Sequence, residues 1–376
     1  MKAALRGLVW PVVLIAIAAA IYLRVGRQMT DFAVYRTAAT RALAAEPLYR
    51  ESDGHYQFKY LPAFAFAMAP FAWMEPEGAK MIWFALSVGL LTAYVRWSLR
   101  ALPERRRSDR VLMWLTIVLM AKFYLHELTL GQTNILLGTL LVAALLAVQI
   151  DHPLVAAGLI STAAFVKPYA LVIMPWLAFT YGLETVGVSV AVLGVGLLAP
   201  ALVYGWRGNL DLLAGWYQTI TTSTAPNLLG ADNVSLAAMW AKWLGPGTAA
   251  SGLATASSVA LLGLVAAVWR RRLSVQIPDY LEYALLMLLV PLLSPQGWDY
   301  VLLLATPAVI CLMDRWGDVT SGWRIFTGAA LALMGLTIFD VMGRDLYGRF
   351  MALSIVTVAA MATAGSLAHL RWRALA

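Results

Sequence analysis

The sequence predicts an all-α polytopic membrane protein of about twelve transmembrane helices. Three observations carry this. The chain is 61% hydrophobic and 13% charged, whereas soluble domains carry about a quarter charged residues. Apolar runs of helix-spanning length recur from end to end. Basic residues gather in a few clusters between those runs, as they do at the inner ends of spans. Too little polar surface remains to coat a soluble globule of 376 residues.

Spans are expected near 8–23, 78–97, 111–126, 134–150, 153–166, 169–182, 184–204, 250–269, 279–293, 299–313, 321–340 and 350–368. The first run, "LVWPVVLIAIAAAIYL", reads as an anchor, since no small-residue cleavage site follows it. Some runs fall short of the ~20 residues a straight crossing needs. Short helices are tolerated where their ends are buried in protein or line a cavity. The whole chain, 1–376, reads as one integral-membrane domain.

The basic clusters are Lys2 with Arg6, Arg96 to Arg110, Arg270 to Arg272, and Arg371 with Arg373. All four are expected on the cytoplasmic side. Both termini then lie inside, and an odd number of crossings separates residues 24 and 96. "YLPAFAFAMAPFAWM" (60–74) carries Pro62 and Pro70; a full crossing there would expel the Arg-rich loop. It is expected to be a re-entrant or broken helix, after an extracytoplasmic first loop, 24–60, that carries a surface helix.

The net charge of +8 is explained by these clusters and not by a nucleic-acid partner, for which no soluble segment is large enough. Cys311 is alone, so there is no disulfide framework. His55, His126, His152 and His369 make no zinc-ligand spacing, although His126-Glu127 resembles half of HExxH. No metal site or cofactor is expected.

Six polar stretches remain: "TDFAVYR" (30–36), "YQFKYLP" (56–62), "HELTLGQTN" (126–134), "FVKP" (165–168), "TAPNLLGADNVS" (224–235) and "SPQGWDY" (294–300). With alternating crossings all six fall at the outer face, which suggests one polar site opening outward. Asp31 admits two readings there. Thr30 or Asp31 is a helix cap, or Asp31 is a carboxylate able to accept a proton at the rim of a membrane cavity. Pro168 disfavours helical geometry at Lys167, so this lysine sits at a break, where it snorkels or holds a phosphate. Lys59, beside Tyr60, invites the same pair of readings. Gln132 and Asn134 serve as interhelical hydrogen-bonding amides or as site residues. Trp298 and Tyr300 suit an interfacial belt; Asp299 between them does not. "NVS" from Asn233 is formally a glycosylation sequon.

In order along the chain stand "DFAVYRTAATRAL" followed by "EPLY", then "FKYLPAFAFAMAPFAWM", "GQTNILLGTLLVAALLA", "AAGLISTAAFVKPYALVIMPWL", "NVSL" and "LLSPQGWDYVLLLATPAV". Over roughly residues 28–310 this set resembles glycosyltransferase family 87, within the C-type membrane glycosyltransferases. That family includes polyprenyl-phosphate-mannose-dependent mannosyltransferases of mycobacterial phosphatidylinositol mannoside synthesis. The resemblance implies a C-type fold and one sugar, mannose or another hexose or pentose, carried on a polyprenyl phosphate. It places the chain in the bacterial inner membrane, with transfer at the extracytoplasmic face to a glycolipid or cell-envelope glycan. It makes Asp31 the catalytic base and carries over Lys167, Gln132 and Asn134, with the Ser294–Trp298 region near the donor phosphate. Two positions depart from the pattern: Asp299-Tyr300 stand where a His commonly follows the Trp, and "NVS" replaces "NQS".

The candidate donor set is therefore Lys59, Tyr60, Lys167, Gln132, Asn134, Ser294, Trp298, Asp299 and Tyr300. The candidate acceptor set is Tyr35, Arg36, His126 and Asn233. The expected chemistry is a metal-independent inverting displacement: a carboxylate takes the acceptor proton, and cations stabilise a departing lipid phosphate. Two rival classes share these features. One is a secondary transporter built of broken helices; the other is a flippase or ligase of lipid-linked sugar chains.

Overall fold

The computed structural model describes residues 29–275 and 278–373. The expected span 8–23 lies outside the described residues. The described chain is helical, with a single isolated bridge between Asn233 and Trp298.

Among the described residues, three helices are long and apolar enough to cross a bilayer: Pro76–Ala101, Asp109–Leu130 and Thr248–Arg270. Two bent pairs raise the number to five if each is one span. These are Glu184–Leu198 with Ala201–Leu228, bent by 94°, and Arg344–Ala352 with Ile355–Arg373, bent by 57°. The expected twelve crossings are thus not reached by helix length. Asn134–Gln149 has 16 residues and Pro153–Val166 has 14; at 1.5 Å per residue neither spans the ~30 Å hydrocarbon layer upright. The expected 169–182 and 299–313 are each split. Both begin as a 3₁₀ turn, Pro168–Ile173 and Asp299–Ala305, and continue as short α-helices, Met174–Tyr181 and Thr306–Asp314. The expected span 184–204 stops at Leu198, and Gly205 turns the chain with φ +69°. Ala201–Leu228, helical on both sides of the Gly205 kink, begins inside the expected span 184–204 and runs on through a stretch for which no span was expected.

The short helices form the middle of the molecule. Asp279–Leu293 is buried over nearly its whole length, from Tyr280 through Leu292 except Leu281. It packs against Asp299–Ala305, Thr306–Asp314 and Ile355–Arg373. A helix apolar on nearly all sides is stable only when surrounded, and Thr248–Arg270 and Pro168–Ile173 also pack against it. Asn134–Gln149 lies between Pro76–Ala101 and Pro153–Val166.

Over this core lies the helix Thr30–Leu43. It buries Phe32, Tyr35, Ala38, Ala39 and Ala42, the 3–4 spacing of one helical face. Residues 60–74 form two short helices, Pro62–Ala67 and Ala69–Ala72, interrupted at Met68. Phe32 packs edge-on to Phe71 and stacks on Trp83, both at 5.5 Å. The last carbonyls of the broken segment have no helical partners of their own. Arg36 supplies them, donating from Nε to the Phe71 oxygen at 3.1 Å and from Nη2 to the Met74 oxygen at 2.8 Å.

Candidate active site

The site is assembled around a turn. Asp109–Leu130 ends at Gly131, whose φ of +69° lets the chain reverse. Trp83 Nε1 donates to the Gly131 oxygen at 2.9 Å. The next helix starts at Asn134, and its free amide groups need acceptors. Fully buried Glu127 provides them, accepting from Ile135 N at 3.0 Å and Asn134 Nδ2 at 2.8 Å. Between these anchors Gln132 is held nearly buried.

Gln132 is a hub. Its Oε1 accepts from Tyr35 Oη at 3.0 Å and Tyr60 Oη at 3.2 Å; its Nε2 donates to Tyr300 Oη at 3.1 Å. Tyr35 and Tyr60 also share a hydrogen bond of 2.7 Å. Burial, then the neighbouring Tyr60 and Asp31, push the Tyr35 phenol well above its ordinary range, so it remains a donor. Four elements far apart in sequence are thus tied by one amide.

Asp31 sits beside this hub, half-buried in the first turn of its helix. Met29 occupies the cap position and no side chain makes a cap bond, so Asp31 does not serve as the cap. Burial raises the Asp31 carboxyl above its usual 3.8. The Gln132 amide, then the positive charges of Lys167, His55 and Lys59, act in the opposite direction.

Lys167 faces the same space. Its backbone is extended, φ −150° and ψ 122°, between the end of Pro153–Val166 and Pro168. This is the break expected from the following proline. The residue is 6% exposed. Its ammonium lies 5.9 Å from the Tyr60 ring and 5.7 Å from the Tyr300 ring, within cation–π range. Among the described residues it has no carboxylate within ion-pair distance. Lys59 lies close enough to Asp31 and Lys167 to feel both charges, and burial lowers its ammonium pKa.

A second cluster adjoins the first across Tyr300. His126 Nδ1 lies 3.0 Å from Asp299 Oδ1, and the His126 and Tyr300 rings meet edge-on at 5.1 Å. The backbone N–H of Asp299 donates to the Asp232 oxygen at 2.8 Å. Burial, and then the nearby Asp299 charge, raises the Asp232 carboxyl above its ordinary value.

The structure gathers Asp31, Tyr35, Lys59, Tyr60, Gln132, Lys167 and Tyr300 at one place, with His126 and Asp299 next to them. Other expected site residues lie elsewhere. Asn134 turns to Glu127, and Arg36 is spent on the broken segment. Asn233 clamps two loops together: its Nδ2 donates to Pro295 and Asn227 oxygens at 3.0 and 3.2 Å, and its Oδ1 accepts from Ser235 N at 3.0 Å. Val234 N donates to the Gly297 oxygen at 2.7 Å across the same junction. Trp298 packs at Gly230, and the buried Ser294 hydroxyl has no hydrogen-bond partner among the described residues. Sequence reasoning missed Glu127, Asp232 and His55. Glu127 carried a signal: a carboxylate seven residues before Asn134, across a Gly turn.

This is a half-buried carboxylate near a buried cation, with tyrosines and an amide beside them. The model of glycosyltransferase family 87 matches residues 58–295. The chain belongs to glycosyltransferase family 87. Comparisons with curated proteins and with solved structures gave no match. Within the family 87 match lie Lys59, Tyr60, Gln132, Lys167, Asn233 and Ser294; Asp31 precedes it and Tyr300 follows it. Asp31 is joined to the family segment by folding, through Gln132 and Lys167. This glycosyltransferase has no group of three or more His, Cys, Asp or Glu placed to hold a metal among its described residues.

Proposed function

We propose that this family 87 enzyme transfers one sugar from a polyprenyl-phosphate donor to a glycolipid or envelope-glycan acceptor at the extracytoplasmic face of a bacterial inner membrane. The observation that carries this reading is Lys167: a buried cation with no carboxylate in ion-pair reach among the described residues, near Asp31, Gln132 and two tyrosines.

Asp31 takes the proton from the acceptor hydroxyl as that oxygen bonds to the anomeric carbon. The bond from that carbon to the phosphate oxygen breaks, and its electron pair leaves with the lipid phosphate. The phosphate gains charge as it departs, so it requires a cation and not an acid. Lys167 supplies it, with Lys59 beside. Attack and departure on opposite faces invert the anomeric carbon. Tyr35, Tyr60 and Tyr300 remain neutral walls whose hydroxyls fix Gln132, and Gln132 fixes Asp31.

The test is transfer of labelled sugar from polyprenyl-phosphate mannose, and from the corresponding glucose and arabinose donors, to membrane glycolipid. Wild-type protein should yield a product heavier by one sugar. Asp31→Asn should lose at least roughly 10²-fold in turnover while still binding donor. Transfer at the wild-type rate by folded Asp31→Asn would remove Asp31 from the reaction. Addition of whole oligosaccharides would move the enzyme to the ligase class.

A further inference from the structure

A cavity of about 630 Å³ lies away from Asp31. It is lined by residues from the loop before Asp109–Leu130, from the start of Asp279–Leu293 and from the ends of Thr306–Asp314 and Ile355–Arg373. The Gln132 turn is at the other end of Asp109–Leu130. That helix has 22 residues, so about 30 Å separate the two places.

The chemistry of the cavity is two-sided. Four arginines line it, Arg106, Arg315, Arg371 and Arg373, against two carboxylates, Glu104 and Asp318. Its floor is apolar, formed by Leu281, Cys311 and Leu370. The rim is built, not merely crowded. Buried Asp314 accepts from the backbone N–H groups of Arg106 and Arg107, each at 2.9 Å, and so fixes the basic loop. Arg315 donates from Nη2 to the Pro103 and Glu104 oxygens at 3.2 Å, and its Nε lies 3.5 Å from Asp314. Arg371 is held between Glu282 and the Pro278 oxygen. Arg106 pairs with Asp318 at the exposed edge. Arg373 is exposed and has no ion-pair partner among the described residues.

We propose that this cavity binds a phosphate-bearing anion, supplied by the headgroup of an anionic membrane lipid. Guanidinium groups match phosphate oxygens in geometry and charge. A bare phosphate is far smaller than the cavity and has no use for the apolar floor, whereas a phospholipid fills both parts. Three of the arginines, Arg106, Arg371 and Arg373, belong to the basic clusters expected on the inner leaflet side, where anionic lipids concentrate. The bound lipid ties the basic loop to the C-terminal helix, far from the transfer site.

The experiment measures thermal unfolding and native mass spectra of the full chain in neutral detergent. Short-chain phosphatidylglycerol, short-chain phosphatidylcholine and inorganic pyrophosphate are titrated separately. Phosphatidylglycerol should stabilise the wild type saturably and appear as a bound adduct; phosphatidylcholine should do neither. Arg106→Ala/Arg373→Ala removes two exposed rim charges with little loss of internal structure. It should weaken phosphatidylglycerol binding by at least roughly tenfold. Arg344→Ala/Arg349→Ala, outside the cavity, should leave it unchanged. Equal response of all three proteins would overturn the site. Saturation by pyrophosphate but not by phosphatidylglycerol would overturn the lipid as its source and leave a soluble phosphate ester as the ligand.

Discussion

At Asp31, burial and nearby positive charge act against each other, and burial prevails. The folded state therefore binds a proton at Asp31 more tightly than the unfolded chain does. The resulting stabilisation is complete below the unfolded pKa of about 3.8 and is lost as pH rises through the higher folded value. At pH 7 an ionised Asp31 costs stability. Asp31→Asn should thus unfold at the same or a higher temperature than wild type at pH 7, while losing transfer. Calorimetry beside a transfer assay checks both; a lower melting temperature would show that the carboxylate holds the fold. Lys59 permits a second measurement. Its charge lowers the Asp31 pKa, so Lys59→Gln should move the acid limb of kcat/KM to higher pH. An unmoved limb would mean that another group sets it. Lys167→Ala should lower kcat/KM for donor by roughly 10²–10³-fold, with partial recovery in Lys167→Arg. Asp31, Gln132 and Lys167 were legible in the sequence as costly polar residues at one membrane face. Their joining by Tyr35, Tyr60 and Tyr300 was not, because such hydroxyl contacts link residues 97 and 168 positions apart.

Among the elements, the turn at Gly131 has little freedom. A Cβ there would stand 2.9 Å from Phe32 Cβ and 3.4 Å from Met29 Cβ, on a backbone with φ +69°. Gly131→Ala should cost about 1–2 kcal/mol in left-handed strain alone. It should also push away the helix that carries Asp31, so turnover should fall more than stability explains. A melting curve and a transfer assay on the same preparation separate the two. If turnover is unchanged, the Gly131 contact does not set the position of Asp31. The breaks in the helices were the readable part of this level. Pro168 marked the extended Lys167, and Pro62 with Pro70 marked the interrupted 60–74 segment. The segment Ala201–Leu228 carried a signal that was passed over: Leu202, Trp206, Leu210, Leu213, Tyr217 and Ile220 recur at helical spacing, diluted by the Gly, Asn, Asp and Thr between them. Its amphipathic partners lie in other elements: Trp216 donates to the Lys59 oxygen at 3.2 Å, and Tyr204 to the Glu46 oxygen at 2.7 Å.

For the whole molecule, the arrangement across the bilayer follows from one helix and its two ends. Asp109–Leu130 carries the Arg105–Arg107 loop at its start and the Gln132 turn at its finish, and it is long enough to cross. In the topology we propose, the first end lies in the cytoplasm, as the positive-inside rule expects, and Asp31, Lys167 and Tyr300 lie outside. The preceding segment must agree. Between Ser52 and Arg107 only Pro76–Ala101 has crossing length, since 60–74 is interrupted; one crossing separates the two positions. Ser52 and Arg107 are both exposed, and Cys311 is buried. Ser52→Cys should therefore react with a membrane-impermeant maleimide on intact cells. Arg107→Cys should react only after the membrane is opened. Labelling of both from the same side would require residues 60–74 to cross as well. That would separate the Arg-rich loop from the cytoplasm and return the side on which Asp31 lies to an open question.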